Sequence, residues 1–230
     1  MSLIVHVQEH AFQAMLISSI ETFPSSYLPP EPGKSKPRKN KLHDGEAMGL
    51  LFGQRVVKGE HLVFNVSLAV TMQATERKAD RVAYSSFHFE RIREITESFP
   101  HLEFLGGFHS HPWAKEDFGN AATEPSEDDA ETALEAAREY GDELLEIILG
   151  ITALNRNSYR DAKANGHSID SCCGRYKYRL SAYCTVGALE DDGGDVDADS
   201  DELMEGSDAG LVPIDQLVCP LAAHGGAIFA

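Results

Sequence analysis

An α+β fold, with helices set around one mixed sheet, is the architecture this sequence predicts. Three observations carry that prediction. Apolar residues make up 42% of the 230 positions, enough to bury a full core. Stretches of period-two alternation and of helical period follow one another in the order α-β-β-α-β-α-β-β. There is no internal repeat, and the length suits one domain with an appendage rather than two domains.

Taken in order, residues 9–23 carry Phe12, Met15, Leu16, Ile20 and Phe23 at helical spacing, and Pro24 ends that helix. Residues 24–45 hold five prolines and five basic residues (Lys34, Lys36, Arg38, Lys39 and Lys41), the composition of a loop. It is either a solvated excursion or a basic lip that meets an acidic partner. Residues 46–57 form a strand in which Gly49 and Gly53 leave room for something to pack closely. Residues 62–70 alternate, with Phe64, Val66, Leu68 and Val70 on one face. Phe89, Ile92, Ile95 and Phe99 mark a helix over 86–99, capped by Ser85 or Ser86 and stopped at Pro100. A third strand covers 102–111. A helix over 126–140 puts Ala130, Ala133, Leu134 and Ala137 on one face. A buried strand follows at 144–154, and residues 175–186 alternate as a half-exposed strand.

Beyond Val186 the composition changes. Residues 187–208 contain ten acids and no base. Asp195, Asp197 and Asp199 imitate a calcium loop, but Ser200 stands where glycine is required and Gly206 where glutamate is required. The expectation is a catalytic domain over 1–186, a disordered acidic linker over 187–210 and a C-terminal segment over 211–230. In that segment "LVPIDQLVCPL" either packs back as a short strand or binds a partner. The formal net charge of −17 argues against sequence-independent binding of nucleic acid. Cys172, Cys173, Cys184 and Cys219 match no zinc or disulfide spacing, so they read as thiols of a reducing compartment, the cytoplasm. The first residues have no basic, apolar signal pattern, and no stretch approaches the ~18 apolar residues of a membrane span.

The chemistry concentrates in "GGFHSHPWAKEDFGNAATEPSEDD", residues 106–129. In a strand, residues i and i+2 share a face, so His109 and His111 project side by side. Two such imidazoles can hold one zinc, and a catalytic zinc takes three protein ligands. Asp129, at the start of the next helix, offers the third. Asp128 and Asp117 are further carboxylates within reach. Ser126-x-x-Asp129 also has the form of a helix capping box, and a His-x-His pair also occurs without metal.

The sequence His109-Ser110-His111-Pro112, followed by Pro125-Ser126-x-x-Asp129, resembles the H-S-H-P…P-S-x-x-D signature of the JAMM (MPN+ or JAB) metalloproteases. Upstream, Glu46-Ala47-Met48-Gly49-Leu50-Leu51-Phe52-Gly53 is similar to that family's E-x-x-G-L-x-x-G strand. The three parts occur in the family's order, and the likeness covers about residues 5–186. One departure is the fourteen residues 112–125 between His111 and Ser126, a longer interval than the family's. A loop lengthens at small entropic cost, so the site survives this while the groove around it changes. Other His-x-His hydrolases fit less well. Metallo-β-lactamase-like enzymes need an Asp-His pair that Trp113 to Lys115 do not supply, barrel amidohydrolases need eight βα units, and no H-E-x-x-H is present.

The resemblance implies the JAB/MPN fold, a curved mixed sheet flanked by helices. It implies one catalytic zinc on His109, His111 and Asp129, with Glu46 as general base and Ser126 as donor to the developing oxyanion. It implies an isopeptidase or peptidase that cuts after the C-terminal glycine of a ubiquitin-like protein. As a compact, single-domain chain with cytoplasmic features, it also resembles the deconjugating proteases encoded beside bacterial ubiquitin-like conjugation systems, some of which act in antiphage defence and whose conjugation enzymes would be companions. Trp113 either walls the substrate groove or packs ordinarily. The alternatives are the same chemistry on a sulfur-carrier precursor or peptide-linked metabolite, and a metal-free scaffold of the same fold.

Overall fold

Four eleven-residue strands form the middle of the molecule, and each comes from a stretch where apolar residues alternate or run together. The computed structural model describes residues 1–29, 44–72, 76–77, 82–83, 85–141, 143–158, 161–187 and 210–224. Its elements begin with β1 (Ser2–Val7), α1 (Glu9–Glu21), β2 (Met48–Lys58), β3 (His61–Thr71), β4 (Glu76–Arg77), β5 (Val82–Ala83), α2 (Ser86–Glu97) and β6 (Glu103–Trp113). They continue with α3 (Glu127–Tyr140), β7 (Leu145–Ala153), β8 (Lys163–Asn165), β9 (Ser168–Cys173), β10 (Tyr176–Val186), β11 (Gly210–Pro213), β12 (Gln216–Val218) and α4 (Pro220–His224).

The α+β expectation holds, as a single domain around one ten-stranded mixed sheet in the order β12-β1-β3-β2-β6-β7-β10-β9-β8, with β11 on β10. β1 runs parallel to β3 and β12, and β6 parallel to β7, while the other pairs in this sheet are antiparallel. The sheet curls until it nearly closes into a barrel. Leu217 in β12 donates its N–H to the carbonyl of Gly166, in the turn between β8 and β9, at 2.8 Å.

Helix α1 packs into the main core of the sheet. Ala11, Phe12, Met15 and Leu16 are buried against Phe64, Phe108, Ile147 and Tyr178 of four strands. Phe12, Met15 and Leu16 each contribute about 1.5–3 kcal/mol through burial. On the other side a knot of rings joins α2, β6 and α3: Phe89 to Phe104 at 5.4 Å, Phe89 to Tyr140 at 5.1 Å and Phe104 to Tyr140 at 5.8 Å between centroids. The close packing expected at Gly49 is present, since a Cβ there would lie 2.2 Å from the Val70 carbonyl and 2.4 Å from the Phe108 ring.

Several elements differ from expectation. β1 was not foreseen, nor were β8 and β9. β10 is mostly buried rather than half exposed, because it lies inside the sheet with β7 on one side and β9 and β11 on the other. Of the two fates open to "LVPIDQLVCPL", the chain takes the first: β11 pairs with β10, and β12 with β1. The basic residues 34–41 and the acidic residues 188–209 lie outside the described residues. The described ends of the 24–45 excursion meet. Ser25 donates its N–H and hydroxyl to Asp44, both at 3.2 Å, and Gly45 donates to the Thr22 carbonyl at 2.8 Å. That closure delivers residue 46 to a fixed place. Among the described residues, no helix is long and apolar enough to cross a membrane.

Burial pushes the thiols of Cys184 and Cys219 up to about 12. At pH 8 the native protein should therefore leave both unmodified by an aromatic disulfide reagent, and both should react once unfolded. Rapid labelling of Cys219 in the native protein, read by peptide mass spectrometry, would contradict the docking of the C-terminal strand.

Candidate metal centre

β6 lies between β2 and β7, which fixes what stands beside each histidine. His109 is opposite Met48 in β2 and Ile148 in β7. His109 and His111 share a face, with ring centroids 4.7 Å apart and Nε2 atoms 2.9 Å apart. The residues between and before them turn the other way. Phe108 enters the core with α1. Ser110, fully buried, accepts the Ala47 N–H on its hydroxyl at 2.8 Å and donates its own N–H to the Ala47 carbonyl at 2.8 Å. This clasp holds the chain just ahead of β2, where Glu46 is buried.

Helix α3 brings the acid. Ser126 is its N-cap: the Ser126 hydroxyl accepts the Asp129 N–H at 3.1 Å, and the Asp129 carboxylate accepts the Ser126 N–H at 2.8 Å. The same carboxylate lies 3.4 Å from His109 Nε2 and 3.7 Å from His111 Nε2. Both readings of Ser126-x-x-Asp129 are therefore met at once, as capping box and as acid beside the imidazoles. The bond to Asp129 uses the Ser126 oxygen as acceptor and does not engage the hydroxyl hydrogen.

Each of the five residues singled out falls within this constellation. Glu46, His109, Ser126 and Asp129 line one open cleft of about 620 Å³, and His111 adjoins through its contacts to His109 and Asp129. Asp128 lines the same cleft. Asp117 belongs to a turn closed by its N–H on the Ala114 carbonyl at 3.1 Å. Sequence reasoning missed Glu146. Its carboxylate accepts from Nδ1 of His109 at 2.6 Å and lines the cleft as well. The available signal was a lone acid inside the apolar run "LEIILGITA" of β7.

Charge in the site is strongly coupled. Burial alone would depress the basicity of His109, but the Asp129 and Glu146 carboxylates override it and hold the imidazole well above the usual histidine range. Burial would raise Asp129, and hydrogen bonds from His109 and His111 outweigh it, holding that acid well below the usual carboxylate range. The donor set fits a zinc ion. One nitrogen from each histidine and one oxygen of Asp129 lie within 4.8 Å of one another. Donors held in a tetrahedron at about 2.0–2.2 Å from zinc are about 3.3–3.6 Å apart; here the two Nε2 atoms are 2.9 Å apart, His109 Nε2 is 3.4 Å from one Asp129 oxygen, and His111 Nε2 is 3.7 Å from the other.

The long interval after His111 is tied down by main-chain acceptors. Trp113 is half-buried and donates its indole N–H to the Ala122 carbonyl at 3.1 Å, which ties the ring to the insertion. Arg179 makes paired bonds to Asp170 at 2.9 and 2.8 Å and donates to the Asn120 carbonyl at 2.7 Å. Tyr183 donates its hydroxyl to the Thr123 carbonyl at 2.8 Å, and Thr123 and Ser181 share a hydroxyl bond at 2.7 Å. No protein-family model matches the chain, and no curated protein matches it.

The protein should take up one zinc ion per chain. Asp129→Asn, which keeps an oxygen to cap Ser126 but loses the charge, should lose that ion in a chelator competition while α3 keeps its stability. Arg179→Ala should destabilise the fold by about 1.5–3 kcal/mol, read from the denaturation midpoint, and should open residues 114–125 to proteolysis.

Proposed function

We propose that this chain is a zinc metalloprotease of the JAMM/MPN+ kind, with the JAB/MPN fold, that cleaves after the C-terminal glycine of a ubiquitin-like protein, either from its conjugates or from a precursor. The observation that supports this reading most is that Glu46, His109, Ser126 and Asp129, drawn from three separated stretches of sequence, line one cleft. His109, His111 and Asp129 would hold a zinc ion, and three protein ligands are the number a catalytic zinc takes. The partners on this reading are a ubiquitin-like protein, its conjugates and companion conjugation enzymes.

Zinc, when bound, supplies a Lewis acid that lowers the pKa of water toward ~7 and polarises a carbonyl. The chain's own residues do the rest. Glu46 takes a proton as the water oxygen adds to the scissile carbonyl carbon, then delivers it to the departing amine as the C–N bond breaks. The Ser126 hydroxyl donates to the carbonyl oxygen as that oxygen gains charge. Asp129 and His111 stay fixed by the cap and the strand, so little reorganisation accompanies the step.

The deciding experiment offers a ubiquitin-like protein fused through its C-terminal glycine to the wild type and to Glu46→Gln, with zinc measured in both. Cleavage by the wild type alone, with equal zinc, is the expected result. Ser126→Ala should lower kcat by about 10²–10³. Normal turnover by Glu46→Gln would remove the general-base role. A wild type that holds zinc yet cuts no such fusion would point to the smaller substrates, and a wild type without zinc to a scaffold.

A further inference from the structure

We infer that Glu146 is a positioning residue of the metal centre. It fixes the His109 imidazole in the tautomer that presents Nε2 to the metal, and Gly107 is the position that makes room for it. This inference rests on the metal-centre reading above.

The placement begins with strand register. In the parallel pair of β6 and β7, Gly107 stands opposite Glu146 and His109 opposite Ile148. Residues 107 and 109 share a face of β6, so the Glu146 side chain crosses over position 107 toward the His109 ring. A Cβ at residue 107 would lie 2.9 Å from Oε2 of Glu146, and nothing else comes as near. Glycine there is thus matched to this carboxylate. β7 is otherwise buried and apolar, with Leu145, Ile147, Ile148, Leu149 and Ile151 each at 1% exposure or less. A carboxylate in that strand carries a desolvation cost and needs a partner to offset it.

The partner is Nδ1 of His109, at 2.6 Å. A carboxylate there requires the hydrogen on Nδ1, which leaves the Nε2 lone pair facing His111 and Asp129. The two ring nitrogens point apart, so Glu146 on Nδ1 is not itself a ligand to an ion held at Nε2. Outer carboxylates of this type orient metal-bound histidines and raise their basicity.

The test is zinc affinity by chelator competition, with the visible spectrum of the cobalt-substituted protein, for the wild type, Glu146→Ala, Glu146→Gln and Gly107→Ala. Glu146→Ala should weaken zinc by about 10–100-fold. Glu146→Gln, whose amide oxygen still accepts from Nδ1, should lose less. Gly107→Ala keeps the carboxylate but displaces a flexible side-chain end, so it should fold and yet weaken zinc, with a changed cobalt band. Ile148→Val, which loosens the same strand without touching that bond, should bind zinc as the wild type does. Wild-type affinity and spectrum in Glu146→Ala and Gly107→Ala would overturn the inference. A wild type that binds no zinc would overturn the metal centre itself. Zinc binding without proteolysis would remove the proposed activity and leave the role of Glu146 standing.

Discussion

Two hydrogen bonds between Ser110 and Ala47, each 2.8 Å, set everything else in the site. They lock β6 to the chain entering β2, so Glu46 arrives beside the histidines. The parallel pairing on the other side of β6 then brings Glu146 over Gly107. A slip of one residue in either pairing would reverse the facing of every side chain and turn both imidazoles into the core under α1. The run Gly107-Phe108-His109-Ser110-His111 therefore works as one unit. Alternate positions supply the seat of the Glu146 carboxylate and the two imidazoles, while the others supply a core ring and a clasp.

Electrostatics constrains the same place. Three carboxylates, those of Glu46, Asp129 and Glu146, belong to one cleft with an imidazole between two of them. Such a gathering requires compensating positive charge. Burial works against charge on His109, but Asp129 and Glu146 favour its protonated form, which meets part of that need. A divalent cation at the Nε2 atoms would take over that role. Asp129 is steadied independently by the Ser126 N–H and by the positive end of α3.

The centre was legible in the sequence because its parts are local patterns: a two-residue spacing at the end of an apolar strand, and a serine three residues ahead of an acid at a helix start. The long strands and three main helices were legible for the same reason. β1 was not, since six residues preceding a helix carry too little alternation to stand out, and its partners lie far along the chain. The burial of β10 depended on β9 and β11 flanking it, which no feature of residues 176–186 reveals. Glu146 escaped notice because its meaning comes from cross-strand register rather than from its neighbours in sequence. The insertion after His111 is held through carbonyl groups of Asn120, Ala122 and Thr123, which every residue type possesses.

The pairing of β12 with β1 also bears on how the chain is made. Leu3 donates to Asp215 across 212 positions, and Ile4 pairs with Gln216. Contacts of such long range form late, because the loop must close before they gain anything. At synthesis rates of roughly 5–20 residues per second, β1 waits about 10–40 s before its outer partner exists. Through that interval its outer edge presents unpaired N–H and C=O groups, the kind of template on which strands of other chains add. Arrival of β12 thus does more than extend the sheet. It also covers an edge of β1 on which a strand of another nascent copy could add.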